Sequence, residues 1–118
     1  MTTATRAETV TDITPQAFVS LPHPPTLIDV RSQLEYAAGH APNARNLSLP
    51  RVLLGSIPLL RKWMWPEWFR SLPKDEPIAI VCLTAHRSPI AAQHLEKQGF
   101  SQVYNLSGGM VEWWKTIK

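Results

Sequence analysis

A chain of 118 residues has room for one hydrophobic core, because a second domain would be starved of buried surface. Hydrophobic residues make up 44% and charged residues 18%, ordinary globular usage that excludes a disordered chain or a coiled coil. The net charge of +3, from twelve Lys and Arg against nine Asp and Glu, is spread without a run of like charge. It calls for no nucleic acid, yet it favours small anions at a basic cleft.

In chain order, residues 1–11 carry no periodic pattern and are expected to form a flexible N-terminal arm, with a single domain over 12–118. The arm lacks the apolar run of about 7–15 residues that a secretory signal needs, so the cytoplasm is the expected location. Ile13 opens a short edge strand, and residues 15–21 form one or two helical turns. The segment His23-Pro24-Pro25 ends them, since consecutive prolines remove backbone donors and force extended geometry. Residues 26–30, Thr-Leu-Ile-Asp-Val, are a short apolar run of the kind a buried parallel strand requires. Residues 32–38 are helical: Ser32 caps the start, Glu35 completes a capping box, and Gly39 ends the helix.

Residues 43–49 are expected to give a second strand. Residues 51–70 are unusually apolar and aromatic among four basic side chains. Two short helices packed over a sheet, broken at Pro58 and Pro66, account for them. A homodimer or other interface contact, a substrate-channel wall and an interfacial membrane anchor are the other uses of such a segment. No uncharged apolar stretch approaches the roughly 18–20 residues of a membrane span. The run Ile78-Ala79-Ile80-Val81 is a continuous apolar strand, expected at the centre of the sheet and leading directly into Cys82. A helix over 88–98 follows, with Ser88 as its cap, Pro89 in its first turn and Gly99 as its stop. A strand at 102–106 and a last helix at 108–117 complete the chain. On that last helix Trp113 and Trp114 diverge by about 100°, so one is expected in the core and the other on the surface. Strands alternating with helices imply an α/β fold with a mostly parallel sheet covered on both faces.

Cys82 is the only cysteine, which excludes an internal disulfide, a Cys-x-x-Cys redox pair and a multi-cysteine zinc site. It stands where a strand end passes through a tight loop into a helix. Free amides of such a loop and helix start attract anions and favour a thiolate. With Arg87 beside it, Cys82 is expected to titrate below the ordinary value of about 8.5. Thr84 offers a hydroxyl to the sulfur or to a loop carbonyl, and His86 either tunes the charge or faces solvent. Asp29 also ends a parallel strand on the carboxyl edge where open sheets place ligands, and its expected work is to tie loop amides or pair with Arg31. His40 is expected to be a structural histidine, and no metal site is expected.

The segment Cys82-Leu83-Thr84-Ala85-His86-Arg87-Ser88 after the strand resembles the active-site loop of the rhodanese-like family, a Cys and an Arg separated by four residues. LIDVRSQLEYAAGHAPNARNLSLP resembles the family's "DVR, then acidic residue, then GHxPxAxN" signature, and LSGGMVEWWK its closing "L-x-GG-x-x-x-W" segment. The resemblance covers residue 13 to the end and implies a three-layer fold. It implies a sulfurtransferase without metal or organic cofactor, in which Cys82 carries sulfur as a persulfide. Leu83, Thr84, Ala85, His86, Arg87 and Ser88 would form the persulfide-binding loop, with Asp29 and Arg31 in support. The implied partners are a small anionic sulfur donor such as thiosulfate, a thiol or cyanide acceptor, and a protein acceptor as a further candidate.

Two alternatives remain at this stage. One is a non-catalytic binding or regulatory module of the same fold, disfavoured because inactive members often replace the cysteine. The other is a cysteine-dependent phosphatase or arsenate reductase, whose loops place five residues between Cys and Arg. Ala85 stands where the family commonly has Gly, and Leu83 where a polar or basic residue often sits. A positive φ at position 85 would cost Ala about 1 kcal/mol relative to Gly.

Overall fold

The structure, a computed structural model, describes residues 10–117. In these residues five parallel strands form one sheet: β1 (Val10–Ile13), β2 (Thr26–Asp29), β3 (Arg45–Asn46), β4 (Ile78–Val81) and β5 (Val103–Leu106). Their spatial order is β1-β5-β4-β2-β3, so β4 is central and the strand leading into Cys82 is buried on both faces. Among the described residues seven helices surround the sheet: α1 (Pro15–Val19), α2 (Gln33–Ala38), α3 (Leu49–Gly55), α4 (Arg61–Met64), α5 (Glu67–Arg70), α6 (Ser88–Lys97) and α7 (Gly109–Thr116).

The period of two along β4 divides its side chains between two cores. Ile78 and Ile80 point to the core under α3, α5 and α6, where Val52, Phe69 and Leu95 are buried. Ala79 and Val81 point to the other core with Phe18 of α1 and Met110 and Trp113 of α7. Cys82 continues the parity of Ile78 and Ile80, and so lies on the α6 side. Phe18 and Trp113 meet at a centroid distance of 6.2 Å, while Trp114 is half-exposed. The adjacent tryptophans therefore divide between core and surface as helical geometry requires.

Several boundaries differ from expectation. Residues 1–9 of the expected arm lie outside the described residues, and Val10 and Thr11 are already in β1, paired with Val103 and Tyr104. The expected strand over 43–49 is only two residues long, because Leu49 and Pro50 open α3 and Leu47 turns into the core. The capping box at Ser32 is complete: the Glu35 amide donates to Ser32 Oγ at 3.2 Å and the Ser32 amide to Glu35 Oε1 at 2.9 Å.

Residues 51–70 fold over the sheet in more pieces than two helices. A single 3-10 turn, Pro58–Leu60, separates α3 from α4, and Pro66 separates α4 from α5. Trp65 is buried and Trp63 is 68% exposed, so one ring fills the core and the other faces solvent. Three of the four basic residues brace the backbone: Arg51 donates to the carbonyls of Met64 and Trp63, Arg61 to those of Gly55 and Ser56, and Arg70 to that of Trp65. Among the described residues no helix is long and apolar enough to cross a membrane.

Candidate active site

At the carboxyl edge of the sheet β2 and β4 end in register, Asp29 opposite Val81. The chain leaves β4 through Cys82 and winds back to α6. The loop closes inward at Ala85, whose φ of 65° is left-handed; for a residue with a Cβ this conformation costs about 1–2 kcal/mol. Its return brings the Arg87 amide to 3.3 Å from Cys82 Sγ. Cys82 is fully buried at the floor of the loop.

Burial is the largest single influence on the thiol and pushes its pKa up. The Ser88 hydroxyl and the amides of Ser88, Arg87 and Ala85 act the other way, and together they hold it below its ordinary value. The lowering thus comes from one hydroxyl, the largest of these contributions, and three backbone amides.

Arg87 contributes its amide to the sulfur but commits its guanidinium elsewhere. Its two terminal nitrogens bind the two carboxylate oxygens of Glu35 at 2.9 and 3.0 Å. This fork strengthens both partners: hydrogen bonding to Arg87, with help from the Ser32 amide, holds the Glu35 carboxyl down at about 2, and the pair raises Arg87. The link ties the sulfur loop to the start of α2.

Ser88 is not the helix cap. The cap position is Arg87 and Ser88 is the first helical residue, because its hydroxyl turns inward and donates to Asn105 Oδ1 at 2.5 Å. Cys82 Sγ lies 3.5 Å from that hydroxyl oxygen and donates to it. Thr84 and His86 are exposed and Leu83 is half-buried against the α1 and α7 core.

The outer side of the loop is pinned by α7. The Met110 amide donates to the Cys82 carbonyl at 2.8 Å and the Val111 amide to the Leu83 carbonyl at 3.1 Å. Gly109, at φ 62°, makes this approach possible, since a Cβ there would lie 2.5 Å from both carbonyl oxygens. The second glycine of the closing pair therefore serves the cysteine loop directly, while a Cβ on Gly108 would meet Glu112 instead.

Asp29 and Arg31 form a buried pair beside this loop rather than a second reactive centre. Arg31 Nη2 and Nε meet Asp29 Oδ2 at 2.7 and 3.1 Å, and Nη2 also donates to the Gly39 carbonyl at 2.6 Å. Asn46 donates to the carbonyls of Asp29 and Arg31, and Trp114 lies over the guanidinium at 5.6 Å. His40 stacks on Tyr36 at 3.8 Å, with Nδ1 against the Tyr36 carbonyl. Sequence reasoning missed Asn105 and the Glu35 partner of Arg87. For Asn105 the available signal was a lone amide inside an otherwise apolar strand.

A family model, the rhodanese-like domain, matches residues 14–116. The chain is 32% identical over 90 residues to thiosulfate sulfurtransferase GlpE of Pseudomonas fluorescens, covering 76% of this chain and 70% of that protein. It is 34% identical over 92 residues to the uncharacterized protein YqhL of Bacillus subtilis, covering 78% of this chain and 63% of that protein. The crystal structure of a rhodanese-like domain protein from Staphylococcus aureus superposes with a TM-score of 0.68 at 27% identity, covering 87% of this chain and 90% of that one. The chain belongs to the rhodanese-like domain family.

Proposed function

We propose that this protein is a sulfurtransferase that moves a sulfane sulfur from an anionic donor such as thiosulfate to a thiol or cyanide through a persulfide on Cys82. The observation that carries the reading is the convergence of the Ser88, Arg87 and Ala85 amides on one buried sulfur whose pKa is lowered. In the first half-reaction the Cys82 thiolate attacks the outer sulfur of thiosulfate. A new S–S bond forms, the donor's S–S bond breaks, and sulfite leaves with the electron pair. In the second, cyanide or a thiolate attacks the outer sulfur of the persulfide, and Cys82 leaves as the thiolate.

The loop amides stabilise the negative sulfur at the start and end of this cycle, when no substrate bond is made to it. Arg87 is assigned to holding the loop against α2, and Asp29 with Arg31 to holding the neighbouring edge. Thr84 and His86, exposed at the rim, are the side chains an entering donor meets first. A four-residue loop between Cys82 and Arg87 suits one terminal sulfur better than a phosphoryl group with three equatorial oxygens, so phosphate-monoester hydrolysis is expected at background.

The test is turnover of thiosulfate with cyanide, read as thiocyanate formed. Wild type is expected to turn over and Cys82→Ser to fall to background. Equal rates in both, or cysteine-dependent hydrolysis of an aryl phosphate, would remove the reading.

A further inference from the structure

Behind Cys82 a row of polar groups crosses the sheet edge from α6 to β1. Cys82 Sγ donates to Ser88 Oγ at 3.5 Å, Ser88 Oγ donates to Asn105 Oδ1 at 2.5 Å, and Asn105 Nδ2 donates to Asp12 Oδ1 at 2.9 Å. Ser88 and Asn105 are buried, and Asp12 is exposed on the edge strand. Asn105 and Asp12 also line an open cavity of about 520 Å³ beside Ala85 and Gly108, so the far end of the row reaches solvent.

The direction of every link follows from its last member. An ionised carboxylate only accepts, so the Asn105 amide must turn its NH2 to Asp12 and its carbonyl oxygen to Ser88. A hydroxyl has one proton. Once that proton is given to Asn105, Ser88 presents only lone pairs to the sulfur. Such an oxygen accepts from a thiol and opposes a thiolate, which has lone pairs of its own. For Ser88 to donate to an ionised Cys82, the hydroxyl must rotate and give up its short bond to Asn105.

We propose that Asn105, anchored by Asp12, is a positioning residue that holds the Ser88 proton away from Cys82 and so restrains ionisation of the resting thiol. The loop amides favour the thiolate, as does the Ser88 hydroxyl whenever it turns its proton to the sulfur, and the Asn105 row opposes it by drawing that proton away. The balance sets the pH at which the sulfur becomes nucleophilic. The role deepens the sulfur-transfer reading and rests on it only in taking Cys82 as the working nucleophile.

Three other charged groups on elements around Cys82 are paired, and His94, Glu96 and Lys97 lie further along α6. Arg87 on the loop pairs with Glu35 of α2, Asp29 with Arg31 beyond β2, and Glu112 of α7 with Lys115 at 3.9 Å. His86 is exposed on the loop itself. Among the described residues Asp12 is the carboxylate joined to Cys82 through a continuous row of hydrogen bonds.

The experiment is a pH titration of the isotope-labelled cysteine β-carbon by NMR. It reads thiol ionisation without substrate and gives one signal, because the chain has one cysteine. Asn105→Leu is expected to lower the midpoint by about half a unit to one unit, which is about three- to tenfold more thiolate at a fixed pH below it. Asp12→Ala, an exposed change that leaves the buried residues in place, is expected to move it the same way by a smaller amount. Adding Ser88→Ala to either variant is expected to cancel the gain, because no hydroxyl then remains to donate. A midpoint that is unchanged or raised in Asp12→Ala overturns the proposal, whether or not Asn105→Leu folds. The titration is independent of turnover, so an absent persulfide with these shifts present would reject sulfur transfer and leave the Asn105 role standing.

Discussion

Around Cys82 the chain points backbone amides inward at one sulfur, whereas in residues 51–70 arginine side chains point at backbone carbonyls. In the first region the geometry belongs to the main chain. The side chains of Thr84 and His86 stand outside it, and the conformations of Ala85 and Gly109 decide whether it forms. In the second region geometry belongs to side chains: Trp65 packs edge-on to Phe69 at 4.9 Å, and Arg61 covers Trp65 at 4.7 Å while tying Gly55, Ser56 and Gln98 together. A chain can therefore build a rigid reactive loop from residues whose identities are weakly constrained, provided distant elements hold its carbonyls.

The comparison is broken most forcefully by adding one methyl group in each region. Gly109→Ala sets a Cβ against the Cys82 and Leu83 carbonyls at a left-handed φ, and a loss of about 2–4 kcal/mol is expected. Gly55→Ala sets a Cβ into the Trp65 ring, with an expected loss of about 1–3 kcal/mol. Denaturant unfolding measures both. The distinguishing result is chemical: per folded molecule, Gly109→Ala should lose sulfur transfer and Gly55→Ala should keep it. Equal losses of turnover would mean that the two regions are not separable.

A smaller effect of opposite sign is expected at Ala85. Replacing it with Gly relieves the left-handed strain and should stabilise the fold by about 1 kcal/mol, read as a shift in the denaturation midpoint. A destabilised Ala85→Gly would show that the unfolded chain's added freedom outweighs the strain.

The smallest effect concerns the tie between Arg87 and Glu35. The folded Glu35 carboxyl titrates at about 2 against an ordinary 4.5, so the unfolded chain takes up the proton first as pH falls. Its contribution is therefore complete above about pH 4.5 and is lost progressively towards pH 2. Both side chains are about one-third exposed, at 36% and 34%, so water screens the pair and its worth is below about 1 kcal/mol. Glu35→Gln should flatten the wild-type stability loss across that acid window. An unchanged acid profile would show that the bond carries no linkage.

Where a signal was local, the elements were legible in the chain itself. Ser32 and Glu35 foretold both halves of a capping box, and the Ile78-Ala79-Ile80-Val81 run foretold a strand buried on both faces. Three motifs together foretold a rhodanese-like fold. Local patterns also misled where side chains served distant partners. Ser88 has the chemistry of a cap, yet its hydroxyl is drawn to Asn105, seventeen residues on. Leu47 and Leu49 extend an apolar alternation that belongs to a core contact and a helix start. The Arg87 and Glu35 fork joins residues 52 apart, and the Asn105 and Asp12 bond joins residues 93 apart. No spacing rule reaches that far, so a charge placed beside Cys82 in the chain proved to be aimed at α2.

The central claim is that Cys82 accepts sulfur, and intact-mass spectrometry after incubation with thiosulfate tests it most directly. The account predicts a single adduct of about 32 Da on Cys82, removed by cyanide and absent from Cys82→Ser. No adduct with thiosulfate or any other sulfane donor, or an adduct that survives Cys82→Ser, would contradict it.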